Sequence, residues 1–123
     1  MTTLSTTLQP ASSSPARARA FVTSALTTWD AGALIPTATL LTSELVTNAC
    51  LHAHTGIELR LVQTDAGVRF EVFDRSPHHP VRRTVAELET RGRGLDLVDR
   101  LAASWGVAPV NPLGKTVWFE LGR

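Results

Sequence analysis

The sequence predicts an α+β fold, a two-layer sandwich in which about three helices lie on one face of a mostly antiparallel mixed sheet. Three observations lead there. Ile57–Val62 and Val68–Phe73 each alternate apolar and polar residues, and Thr64-Asp65-Ala66-Gly67 between them reads as a turn. Two helical patterns precede this hairpin and one follows it, so helices do not alternate regularly with strands. A last alternating run, Lys115–Leu121, closes the chain with Val117, Phe119 and Leu121 inward.

Taken in order, residues 1–14 form a flexible N-terminal segment ahead of a single domain spanning 15–123. Within that segment Thr3–Leu8 suits an edge strand and Pro10–Ser14 a loop. A first helix starts at Pro15 with Ser14 as its cap, carries Ala18, Phe21, Val22, Ala25, Leu26 and Trp29 at helical spacing, and ends at Asp30-Ala31-Gly32. Pro36 and Thr37 open a second helix that runs to Ala53. In the hairpin, a tight turn sets Leu61 opposite Phe70 and Leu59 opposite Val72, and it sets Arg60 opposite Glu71 on the other side. The hydrophobic and charge patterns therefore choose one register. Asp74–Arg93, with two prolines, two adjacent histidines and five arginines, reads as a long functional loop. A third helix from Gly94 carries Leu95, Leu97, Val98, Leu101 and Ala102. Trp105-Gly106-Val107 begins a strand, and Pro112-Leu113-Gly114 turns into the last one. Trp29, Trp105 and Trp118 are expected in the core or at an interface.

Composition narrows the function. The 123 residues suit one core, and 43% hydrophobic content suits a folded domain. A formal charge of +1 supplies no field for nucleic acid or an anionic membrane. The single Cys excludes an internal disulfide and a Cys-based zinc cluster. No apolar run long enough to span a bilayer and no secretion signal is read, so a cytoplasmic location is expected.

Three groups of residues carry candidate chemistry. On the second helix, Glu44 and Asn48 lie one turn apart and about 40° around the axis from each other. Their oxygens can serve a hard cation or orient a nucleophile, or the stripe can simply face water. Asp74, ending a strand, can accept a hydrogen bond from an exocyclic amine such as adenine's, or start a turn before Ser76-Pro77. Arg91-Gly92-Arg93-Gly94-Leu95 runs into a helix, where glycines permit close approach and free amides favour phosphate oxygens; a flexible hinge would look the same. A dinucleotide fingerprint fails at Leu97. Gly114-Lys115-Thr116 is not a P-loop tail, because Pro109 holds the first glycine position and a strand follows. The histidines, His52, His54, His78 and His79, lack metal-ligand spacing.

The order of these pieces resembles the ATP-binding domain shared by gyrase, histidine kinases and a related heat-shock chaperone, the GHKL-type fold. More closely it is similar to the small anti-sigma-factor serine/threonine kinases. The resemblance spans residues 16–121 and is most specific at Glu44-Leu-Val-Thr-Asn-Ala49, Arg91-Gly-Arg-Gly-Leu95 and Gly114-Lys-Thr-Val-Trp-Phe-Glu-Leu121. It implies ATP and Mg²⁺ as ligands, with Asn48 holding Mg²⁺ against the phosphates and Glu44 as the general base toward a protein hydroxyl. It implies that Asp74 receives the adenine amino group with support from Thr116, and that residues 75–91 form a lid. Arg91, Gly92, Arg93, Gly94 and Leu95 would serve the phosphates. The implied partners are a sigma factor and an anti-anti-sigma-type antagonist; separately, the first strand and the Trp-bearing sheet could form the interface of a homodimer. The alternative is a non-catalytic protein-binding module of the same fold. The chain departs from the family's Asp-x-Gly-x-Gly segment at Asp74-Arg75-Ser76-Pro77-His78, which stiffens the rim near adenine.

Overall fold

A computed structural model describes residues 2–52, 56–75, 96–110 and 114–123. The elements are β1 (Thr3–Leu8), α1 (Ser14–Thr28), a single 3-10 turn (Gly32–Leu34), α2 (Ile35–His52), β2 (Ile57–Gln63), β3 (Gly67–Asp74), helical residues 96–101 (α3), β4 (Ser104–Pro109) and β5 (Lys115–Gly122). The strands form one sheet in the order β1-β2-β3-β5-β4, and each neighbouring pair is antiparallel. The sheet therefore has five strands rather than about four, and its described pairings are antiparallel rather than mixed.

The β2–β3 register is the one that the two sequence patterns select, with Leu61 opposite Phe70, Leu59 opposite Val72 and Arg60 opposite Glu71. Alternate residues then face opposite ways. Leu59, Leu61, Phe70, Val72, Phe119 and Leu121 are buried on the inner face, where Phe70 and Phe119 stack with ring centroids 4.6 Å apart. α1 and α2 pack on each other and on this face, contributing Ala18, Val22, Ala25 and Leu26 from α1 and Ala38, Leu41, Leu45, Val46 and Ala49 from α2. Val98 of α3 joins the same core, with Leu97 and Ala102 packed against it. The outer face carries Glu58, Arg60, Arg69, Glu71 and Glu120, tied by ion pairs along and across the strands.

Helix ends show what the sequence left open. Ser14 is not the cap of α1. Ser13 holds that position without a side-chain hydrogen bond, while Ser14 is buried and its hydroxyl donates back to the Gln9 carbonyl. That bond ties the helix start to the end of β1. At the other end, the Ala31 amide donates to the Leu26 carbonyl at 2.8 Å and the Asp30 amide to the Thr27 carbonyl at 3.2 Å. This is a Schellman closure, in which Asp30 takes the left-handed position (φ 54°) usually given to glycine.

Residues 3–8 are an ordered edge strand paired with β2, and Leu8 is buried. The stretch Gly32–Leu51, with a mean hydropathy of 1.2, is long and apolar enough by composition to cross a membrane, contrary to the reading of the sequence by runs. Its threonines and alanines dilute the apolar runs without adding charge. In the fold one arc of it packs against the sheet as the core helix.

Candidate functional site

Strand pairing sets Asp74 and Lys115 at one end of the sheet. Leu8 ends β1 opposite Ile57, which opens β2. Asp74 ends β3 opposite Lys115, which opens β5, and Pro109 ends β4 beside the same lysine. The last turns of α2 lie near the β1–α1 connection at this end of the sheet. The Cys50 thiol confirms the placement, lying 3.7 Å from the carbonyl of Ala11 in the β1–α1 connection. Burial pushes that thiol's pKa up.

Glu44 and Asn48 lie at the margin of the buried arc of α2. Leu41, Leu45 and Ala49 are buried, Leu40, Thr47 and Leu51 are exposed, and the carboxylate and carboxamide between them are half-buried. They belong neither to the core nor to a fully solvated stripe. A helix margin of this kind presents oxygens to a ligand while the neighbouring turn stays anchored. The Thr47 hydroxyl turns back to the Ser43 carbonyl at 2.7 Å, so it does not compete for the same partner.

Asp74 faces inward and is 1% exposed. A carboxylate at that depth is costly unless compensated. Compensation comes from Lys115, itself 7% exposed, whose Nζ lies 3.7 Å from Asp74 Oδ2. Gly114, just before the lysine, has φ +128°, and a Cβ there would meet the Asp74 carbonyl oxygen at 2.6 Å. Glycine is therefore required for β5 to enter beside Asp74.

Thr116 is a correction. It pairs with Phe73 and lines a hollow of about 430 Å³ on the outer face, together with Phe73, Ala108 and Trp118. It cannot support Asp74 from the other side of the sheet. The inner-face neighbour is Lys115, the residue that sequence reasoning missed. The signal was available: if Val117, Phe119 and Leu121 point inward, position 115 does too and position 116 does not.

Arg91, Gly92, Arg93, Gly94 and Leu95, residues 76–91 of the expected lid, His54, His78 and His79 lie outside the described residues, as does the turn at 112–113. Among the described residues no cluster of His, Cys, Asp and Glu could hold a metal by itself. Any cation here would share its ligands with a bound phosphate, which suits a single carboxamide such as Asn48.

A five-stranded antiparallel sheet with helices on one face, and a buried carboxylate where β3 ends, is consistent with a GHKL-type ATPase fold. The model of the histidine kinase-like ATPase domain family matches residues 8–121, and the chain belongs to that family. A search of curated proteins gives no significant match. Membership makes the chain an ATP-binding domain. The residue types present suit that ligand, with a buried carboxylate at Asp74 and half-buried oxygen-bearing side chains at Glu44 and Asn48.

Proposed function

We propose that the protein is an ATP-dependent serine/threonine kinase of the anti-sigma type. In this reading it phosphorylates an anti-anti-sigma-type antagonist in the cytoplasm and sequesters a sigma factor when the antagonist is absent. What supports the reading is that Glu44 and Asn48 lie one turn apart at the half-buried margin of α2, together with the buried Asp74 at the end of β3. Phosphoryl transfer needs positioning, charge neutralisation and an acceptor for the nucleophile's proton, without a covalent intermediate. Asp74 fixes the base through the amino group, and Asn48 holds Mg²⁺ against the phosphates. Glu44, one turn before Asn48, accepts the proton of the incoming serine or threonine hydroxyl.

Replacing Glu44 with Ala is expected to lower phosphate transfer to an antagonist protein by at least about a hundredfold, the scale of general-base catalysis, while ATP affinity changes little. Labelled-ATP transfer and equilibrium titration on the same preparation check both halves. Transfer at the normal rate would remove Glu44 from the mechanism.

A second reading is favoured by Arg75-Ser76-Pro77 directly after Asp74, where the family's kinases carry glycines. There the domain captures its regulatory partners without transferring phosphate, and nucleotide serves as a structural ligand. Saturable ATP binding with no transfer to any antagonist would select it.

A further inference from the structure

We propose that β1 is the contact strand of a homodimer: two copies pair antiparallel along their first strands, about a two-fold axis at Ser5, and their sheets join into one continuous sheet. The pairing draws on no residue of the nucleotide site.

The sheet has two edges, β1 and β4. In an antiparallel ladder a residue directs its N–H and C=O to one side, and successive residues alternate. The Gln63 amide donates to the Thr2 carbonyl at 2.8 Å, and the Thr64 amide donates to the Gly67 carbonyl at 2.8 Å across the next pair of strands. With the registers of β1 on β2 and β2 on β3, both bonds fix the same parity. Thr2, Leu4, Thr6 and Leu8 bond to β2, while Thr3, Ser5 and Thr7 direct their N–H and C=O away from it. These three residues are exposed.

The other edge is guarded. The Val110 amide donates to the Gly114 carbonyl at 3.0 Å, so Gly106 and Ala108 bond to β5 while Val107 and Pro109 turn outward. Proline offers no N–H there, a common protection of an open edge. β1 carries no such guard. Residues 2–9 contain no proline, no glycine and no charge. A strand that comes alongside finds an unbroken row of donors and acceptors and no repulsion.

A second copy fits this edge. About a two-fold axis at Ser5, Thr3 faces the partner's Thr7 and Ser5 faces the partner's Ser5. Each directly opposed pair exchanges two hydrogen bonds, and both β1 edges are closed at once. Pairing β1 with the partner's β4 would meet Pro109 and build an open chain of copies instead. Apolar surface follows the same edge. Leu4, on the inner face of β1, and Phe21 of α1 are half-buried and pack on the margin of the core. Arg19 donates to the Ser43 hydroxyl of α2 at 2.9 Å, and Phe21 lies about 160° around α1 from Arg19, on the flank away from α2. α1 packs over β1 and β2, so that flank stands above the free edge, where a second copy covers it.

Sedimentation velocity of the unaltered chain should show a concentration-dependent dimer. Ser5→Pro removes the two amide donors at the two-fold axis and should raise the dimer dissociation constant about thirtyfold. Ser5→Lys sets like charges face to face and should raise it roughly tenfold or more. A thermal melt checks that each variant is folded, and Ser5→Lys, altered only in an exposed side chain, carries the test if the proline variant is not. Disulfide trapping in a Cys50→Ser background reads the register. Ser5→Cys should cross-link two copies on oxidation, because directly opposed residues lie about 5.5 Å apart at Cα. Thr7→Cys, which faces the partner's Thr3, should not. A dimer untouched by Ser5→Lys, or Thr7→Cys cross-linking as readily as Ser5→Cys, would overturn the assignment. So would an unaltered chain that stays monomeric up to its solubility limit, whatever other extended segment then occupies β1.

Discussion

The two faces of the sheet are built from the same five strands, yet they do different work. The inner face is a packed hydrocarbon layer under α1 and α2, closed at one end by a buried Asp74–Lys115 pair. On the outer face, which lies away from α1 and α2, Arg69 stacks 4.0 Å over the Trp118 ring and pairs with Glu71 at 3.0 Å. Gly106 lies under the same indole, and a Cβ there would strike the ring at 2.9 Å. The comparison teaches that a single-residue step along a strand separates core, site and surface. Lys115 and Thr116 are chain neighbours with opposite fates.

Substitutions on the two faces should therefore differ in scale. The largest expected effect is Phe70→Ala, which removes half of the inner aromatic stack and should cost about 3–5 kcal/mol in denaturant unfolding. A cost near that of a surface substitution would mean that the inner face is not the core. On the outer face, Arg69→Ala loses partly exposed ion pairs and the contact with Trp118, so about 1 kcal/mol is expected. A loss comparable to that of Phe70→Ala would erase the distinction between the faces.

The smallest effect sharpens the picture from the helix side. Thr42 is fully buried on α2, and its hydroxyl has no hydrogen-bond partner among the described residues. Thr42→Val keeps the shape and removes the unsatisfied group. It should raise stability by up to about 1 kcal/mol, read as a higher denaturation midpoint at unchanged slope. A destabilised variant would show that the hydroxyl is bonded in solution.

How much of this was legible in the sequence depended on whether two independent signals agreed. The β2–β3 register was readable because apolar alternation and the Arg60–Glu71 pairing chose the same alignment. The α1 boundaries were readable to within a residue from Pro15 and the run of small and apolar side chains, but the role of Ser14 was not. A serine beside a helix start can cap it or reach backward, and only the position of β1 decides. Glu44 and Asn48 were found by spacing, which places them on one line of a helix but does not say how deep they sit. Thr116 was assigned by motif position against the parity of its own strand, and parity decided. The pairing of β5 between β3 and β4 lies in contacts distant in sequence, for which no local pattern exists.

The central claim is that ATP meets the inner face at the Asp74 end of the sheet. The most direct measurement is amide chemical-shift mapping of the labelled protein during titration with Mg²⁺ and ATP. Saturable shifts are expected at Asn48, Asp74, Gly114 and Lys115, with Arg60, Arg69 and Glu120 unmoved. Shifts confined to the outer-face hollow around Trp118, or none at saturating nucleotide, would contradict the account.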